Sequence, residues 1–351
     1  MCSSDLLALA VLAIALAGGA WGAAHREYDK FVHGNSGPSA TQTRDRITDP
    51  ANNGRMSLWK AAVKIYDTQK LRGTGAGTYQ QYYPRYRTEG LYVVDAHSLY
   101  LQSLSELGLV GLALILLVVL GVLAGLAARI RGRDRALYAA LFAVALAWAV
   151  HQAFDWDWQM PAVTLGLFIL AGLALARPAD GRRGLSGLPA SRTVVALGLF
   201  VLAGAPLLVA TSYARLQSGG QALVREDCVS AKRDALSSLS LSAERPQAYA
   251  IVGVCDLEQG FAQAAVPAMA EAASLEPQSW EGHFWLAVAR AAAGLDPHAE
   301  IARAIALNPL EAGLRNAARR LGSSSPRQWE RAAPRLRREA LSSGKLTITN
   351  L

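Results

Sequence analysis

The sequence predicts an all-α, multi-pass membrane protein with about five transmembrane helices, an extracytoplasmic loop and a C-terminal helical-repeat domain. First, hydrophobic residues make up 52% of the 351 residues and charged residues only 18%, whereas soluble domains usually carry about 25% charged residues. Second, five apolar stretches are long enough to cross a bilayer as helices, and none contains Lys, Arg, Asp or Glu. Third, the chain after residue 213 is rich in Ala and Leu, with few β-branched runs.

Each apolar stretch is interpreted as one membrane span. The five are residues 6–24, 107–128, 136–154, 160–176 and 193–213. Pro161 stands at the start of the fourth, where its missing N–H needs no partner, and Pro206 predicts a kink in the fifth. An alternative interpretation of the first stretch is a signal peptide. A retained span is favoured because the preceding residues include Asp5 but no Lys or Arg.

The placement of arginine predicts the orientation in the plasma (inner) membrane. The loop at residues 129–135 carries four Arg, and residues 177–192 carry four more, whereas residues 151–159 carry none. Basic loops stay in the cytoplasm, so residues 25–106 and everything after residue 213 are predicted to be extracytoplasmic. The net charge of +8 is explained by these loops, and nucleic acid is not predicted as a partner.

These assignments divide the chain into four parts. They are a first span at 1–24, an extracytoplasmic loop at 25–106, four further spans within 107–213, and extracytoplasmic repeats at 214–351. In the last part, Leu275-Glu-Pro recurs as Leu307-Asn-Pro after 32 residues, and the pattern resembles tetratricopeptide repeats. Such an array binds a protein partner in its groove; the alternative is a passive helical cap.

Cys228 and Cys255 are predicted on consecutive helices of the first repeat, in a compartment that permits oxidation. A disulfide and a pair of buried free thiols are both compatible with this placement, and free thiols are the expectation.

The extracytoplasmic loop contains three recognisable segments. A helix is predicted from Arg55, with Met56, Trp59, Ala62 and Val63 on its apolar stripe. The glycine-rich run at residues 73–77 does not indicate a dinucleotide site, because no βαβ unit surrounds it. Residues 79–87, dense in Tyr and Arg, follow this run.

The end of this loop resembles the O-antigen ligase/polymerase family. That family shares a pattern close to His-Asn-x-(Tyr/Phe)-Leu-x-x-x-x-Glu-x-Gly-x-x-Gly. The matching positions here are His97, Ser98, Tyr100, Leu101, Glu106, Gly108 and Gly111. Residues 55–62, 73–79 and 151–161 resemble three further elements of the family in the same order, so the resemblance covers roughly residues 50–176.

Two departures from the family are visible. Ser98 stands where Asn is common. Family members also have more spans than this chain, so the sequence is expected to correspond to their C-terminal portion.

The resemblance implies transfer of a glycan from an undecaprenyl-diphosphate carrier to a hydroxyl group on a lipid, glycan or protein acceptor. The reaction takes place at the outer face of the membrane, among membrane lipids, and needs neither a metal nor another cofactor. The alternative from a different functional class is a non-catalytic, membrane-anchored scaffold that binds partners through its repeats.

The chemistry suggests roles for particular residues. His97 is the candidate catalytic base, because histidine exchanges a proton near neutral pH. Arg55 is the candidate catalytic cation, because its planar fork matches phosphate oxygens. The substrate-binding candidates are Arg72, Arg85, Arg87 and Tyr100. His97 is expected on the helix that enters the membrane, Glu106 is interpreted as structural, and Asp155 and Asp157 are weaker candidates for substrate contact.

Overall fold

A computed structural model describes residues 18–19, 21–30, 32, 54–90, 92–132, 134–175 and 190–342. Their regular structure is helical throughout, with no strand in these ranges, which confirms the all-α prediction for this part of the chain. The chain divides into two compact units, Met1–Leu175 and Ala176–Leu351. Most of the first predicted span and most of the arginine-rich loop at 177–192 lie outside the described residues.

From residue 55 onwards, the described part of unit 1 contains five α-helices and one short 3₁₀ turn. They are α1 Arg55–Tyr66, α2 Tyr79–Tyr86, α3 Leu99–Arg129, α4 Arg135–His151, the turn Asp157–Gln159, and α5 Pro161–Leu175. Among the described residues, α3 is the one helix long and apolar enough to cross a membrane, while α4 and Pro161–Gly172 are shorter apolar helices. The arrangement with five spans therefore stays a prediction.

The exposed side chains of α3 suit a lipid environment. Leu114, Leu117 and Leu120 are 59%, 69% and 59% exposed in the isolated chain. A row of large aliphatic side chains on one helix is unusual on a soluble surface, where extended apolar patches mark contacts with membranes or partners.

Helix α1 begins at Arg55 as predicted, but its buried face coincides with the predicted stripe only in part. Leu58, Ala61, Ala62 and Ile65 are buried, whereas Val63 of the predicted stripe is 44% exposed. Ala62 belongs to both sets, and the buried face is centred roughly a third of a turn from the predicted stripe, because a partner outside the helix decides which face is buried. That partner is α2, whose buried aromatic rings pack against the aliphatic side chains of α1.

Helix α3 is broken at Gly108, where φ is 66° and ψ is −164°. The glycine-rich loop pairs with the backbone at this break. The Leu109 N–H donates to the Lys70 carbonyl at 2.9 Å, and the Gly75 N–H donates to the Glu106 carbonyl at 2.8 Å. These bonds satisfy peptide groups that the helix would otherwise leave unpaired, as a low-dielectric environment requires.

Unit 2 is built from helices that pack against their neighbours in the chain. They are α6 Ala190–Val224, α7 Cys228–Leu241, α8 Pro246–Glu258, α9 Ala262–Leu275, α10 Trp280–Ala292, α11 His298–Leu307, α12 Ala312–Leu321 and α13 Pro326–Ser342. The two Leu-x-Pro sequences stand where α9 and α11 end. The tetratricopeptide assignment stays a prediction.

Cys228 and Cys255 form a disulfide between α7 and α8, with their Cα atoms 5.3 Å apart. The expectation of two free thiols was therefore wrong. Cys228 begins its helix and Cys255 lies on the buried face of the next, so the two Cβ atoms come within bonding range.

Candidate active site

His97 lies just before α3 rather than on it. Its φ is 50°, in the left-handed region that a residue with a Cβ rarely adopts. Ser98 is the N-cap of α3, and its hydroxyl accepts the Leu101 N–H at 3.4 Å. The expectation that His97 lies on this helix was therefore wrong, since the cap fixes the helix start at Leu99, two residues later.

Asp155 lies between Arg55 and His97. The Arg55 Nη2 donates to Asp155 Oδ2 at 3.2 Å, and His97 Nδ1 lies 3.6 Å from Asp155 Oδ1. The three side chains are only 26%, 28% and 29% exposed. We call these residues the Arg55–Asp155–His97 group; they come from the start of α1, the segment before α3 and the turn after α4.

The geometry of this group has a chemical consequence for the imidazole. Among the described residues, His97 Nδ1 is buried without a hydrogen-bond partner, and the carboxylate of Asp155 is the charged group beside it. The tautomer with its N–H on Nδ1 directs that hydrogen towards the carboxylate. The other ring nitrogen, Nε2, is then the one with a lone pair for accepting a proton.

Contacts between α3 and α4 hold the turn that carries Asp155. The Leu99 N–H donates to the Gln152 carbonyl at 2.8 Å, and the Tyr100 hydroxyl donates to the Ala149 carbonyl at 2.8 Å. Asp155 Oδ1 also accepts the Trp156 N–H at 2.9 Å. Tyr100, a predicted substrate ligand, thus has its hydroxyl engaged by the protein.

The glycine-rich loop surrounds the carboxylate of Glu106. The Gly77 N–H donates to Oε2 at 3.0 Å, and the Tyr79 N–H donates to Oε1 at 3.1 Å. The Gln102 side-chain amide donates to Oε1 at 3.3 Å. The loop amides that could bind a phosphate are therefore occupied by a carboxylate of the same chain, which agrees with a structural role for Glu106.

Residues 3–116 match the family model for O-antigen ligase. The match includes α1, the glycine-rich loop and the segment from His97 to Gly111, and it ends before the turn that carries Asp155. It supports a membrane protein that acts in glycosyl transfer and polysaccharide biosynthesis. No curated protein and no solved structure gives a significant match to the chain.

The other predicted arginines of this O-antigen ligase-like region have different surroundings. Arg72 and Arg85 are exposed, and the Arg85 guanidinium lies 5.5 Å from the centre of the Tyr86 ring. Arg87 is only 7% exposed and donates to the Gly90 carbonyl at 3.2 Å, so it holds its own loop together. The contacts described for these three arginines do not include Asp155.

From the sequence alone, Asp155 was only a weak candidate for substrate contact. Its polar turn was recognised, but two aspartates were available there. The structure distinguishes them, because Asp157 Oδ2 lies 3.0 Å from Nε2 of the exposed His151. Within the described ranges, no group of three His, Cys, Asp or Glu side chains could hold a metal ion.

Proposed function

We propose that the chain transfers a glycan from an undecaprenyl-diphosphate carrier to an acceptor hydroxyl group of a lipid, glycan or protein at the outer face of the plasma membrane. The observation that carries this proposal is the Arg55–Asp155–His97 group. It joins a base and a cation through one carboxylate, beside α3, a helix long and apolar enough to cross a membrane. The O-antigen ligase match over residues 3–116 supports the same reaction class.

In the proposed step, His97 acts as the general base. Its Nε2 takes the proton from the acceptor hydroxyl group while that oxygen forms a bond to the anomeric carbon of the glycan. The bond from this carbon to the diphosphate oxygen breaks, and the configuration inverts. Asp155 keeps the Nδ1 proton in place and stabilises the imidazolium cation that results.

Arg55 acts on the diphosphate leaving group. The diphosphate gains negative charge as its bond to the glycan breaks, and this charge needs a fixed cation. Arg55 uses Nη2 for Asp155, and a guanidinium has five N–H donors, so the others remain for phosphate oxygens. Asp155 thereby sets the position of both the base and the cation.

The proposed location outside the cytoplasm also has support from unit 2. Structural disulfides persist in oxidising compartments and are rare in the cytosol. The Cys228–Cys255 bridge therefore favours an extracytoplasmic position for the residues around α7 and α8.

The test is the His97→Ala variant of the complete protein in membranes that contain a lipid-linked oligosaccharide and an acceptor. A positioned base contributes roughly 10²–10⁴-fold, so transfer should fall by at least that lower factor at matched protein abundance. His151→Ala is the control, because His151 is exposed and pairs with Asp157. A His97→Ala protein with more than about a tenth of the activity would show that another group is the base.

A further inference from the structure

The last two helices of unit 2 carry an unusual concentration of arginine. Residues 312–342 contain eight Arg and no Lys. Arginine differs from lysine because its planar guanidinium pairs with a carboxylate or a phosphate through two parallel hydrogen bonds. This local concentration of guanidinium groups therefore favours the binding of an anion.

Four of these arginines form one stripe along α13. They are Arg327, Arg331, Arg335 and Arg338, and all four are exposed. At about 100° per residue, their positions fall within about 80° of the helix circumference and extend over about 16 Å of its length. We call this set the arginine stripe.

The opposite face of α13 is packed into the protein. Trp329, Ala333, Leu336 and Ala340 are buried in the core of unit 2. The Trp329 Nε1 donates to the Ser323 carbonyl at 2.6 Å. The helix is thus anchored along its length, and the arginine stripe faces solvent on a rigid support.

The two acidic residues of α13 direct their carboxylates away from the stripe: Glu330 lies against Gly294, and Glu339 pairs with Arg320 at 3.0 Å. Arg337 pairs with Glu258 at 2.8 Å. Among the described residues, no acidic side chain pairs with any arginine of the stripe. Four positive charges within about 16 Å repel one another. An anion that follows the helix axis would relieve this repulsion, so its binding would be favourable.

We propose that unit 2 binds a linear acidic glycan along the arginine stripe. A polymer with carboxylate groups at intervals along its chain matches a straight row of guanidinium groups on a rigid helix. The choice of a glycan among polyanions rests on the proposed glycan transfer. A lipid surface fits less well, because a helix at a membrane interface needs a free apolar face, and that face of α13 is buried in unit 2.

The experiment measures binding of an oligogalacturonate to the complete protein in nanodiscs of neutral lipid, with a neutral dextran of equal length as the comparison. The Arg331→Gln/Arg335→Gln variant removes two charges from the centre of the stripe. The matched control, Arg225→Gln/Arg303→Gln, removes two charges from exposed arginines on other elements of unit 2. We expect the stripe variant to bind at least about fivefold more weakly, and the control to bind like the wild type.

Three results would overturn the proposal. The first is binding of dextran as strong as that of the oligogalacturonate, and the second is an equal loss in the two double variants. The third is a protein that associates with anionic lipid through α13 but has no affinity for the acidic oligosaccharide. Binding should also weaken as salt is added, because exposed charges are screened. The assay needs no catalysis, so failure of glycan transfer and failure of glycan binding are read independently.

Discussion

Arg55 Nη2 and Asp155 Oδ2 lie 3.2 Å apart, although 100 residues separate them in the chain. This contact joins the start of α1 to the turn after α4 and brings the arginine beside His97. Together they give the carboxylate a cation on one side and an imidazole on the other.

The first prediction concerns the charge at position 55. Lys retains a positive charge but lacks the fork, whereas Gln retains neither. Glycan transfer should therefore decrease in the order Arg, Arg55→Lys, Arg55→Gln, measured with a lipid-linked oligosaccharide in membranes at equal protein levels. Arg85→Gln should lose much less, because Arg85 is exposed and lies against Tyr86. Full activity of Arg55→Gln would assign the residue to packing.

The second prediction separates the two aspartates of the polar turn. Asp155→Asn removes the charge that stabilises the imidazolium cation, so transfer should fall about 100-fold or more without loss of inserted protein. Asp157→Asn should have a far smaller effect, because Asp157 pairs with the exposed His151. Initial rates of the two variants across neutral pH provide the measurement. Similar losses in both would argue against a special role for Asp155.

The sequence predicted what local pattern determines and missed what distant contacts determine. The start of α1 at Arg55 and the apolar α3 follow from periodicity and composition, whereas the glycine-rich run at residues 73–77 was singled out by the family resemblance. The start of α3 was placed too early, although Ser98 offered the N-cap signal that the structure uses. The link through Asp155 has no local signature, since it depends on how α1, α3 and α4 meet.

The third prediction concerns the break in α3. A methyl group at Gly108 would collide with the backbone of Leu71 and Gly73, and φ of 66° is unfavourable for alanine. Gly108→Ala should therefore lower the free energy of unfolding by roughly several kcal/mol. The solubilised protein should unfold or aggregate at a correspondingly lower temperature. Fluorescence-detected size exclusion after heating measures this.

Gly121→Ala is the matched control on the same helix. Apart from its chain neighbours and the backbone of its own helix, no atom of the described residues lies within 4 Å of the added methyl group, and alanine is the better helix former. The control should be neutral or slightly stabilising. If the two variants behaved alike, the pairing between the glycine-rich loop and the break would contribute little to stability.

A buried carboxyl group near the start of α10 provides the basis for the last prediction. Burial, with smaller contributions from the nearby Glu276 and Glu311, raises the pKa of Glu281 to about 8. Burial also raises the pKa of Glu276, to about 7. The Ser279 hydroxyl donates to Glu281 Oε2 at 3.2 Å, which compensates only part of the cost of burying the charge.

Unit 2 should consequently be most stable in mild acid. The folded state binds these protons more tightly than the unfolded chain, so stability is fully present below the ordinary glutamate pKa of about 4.5 and is lost as the pH rises through about 8. Glu281→Gln removes the charge at nearly constant volume and should slow hydrogen exchange in α10 at about pH 8 more than at about pH 5, after correction for the intrinsic exchange rate. Glu244→Gln, at an exposed position, should leave the pH dependence as in the wild type. Wild-type protection of α10 that is equal at both pH values would mean that Glu281 keeps its charge in the folded protein, with a counterion or water that satisfies it.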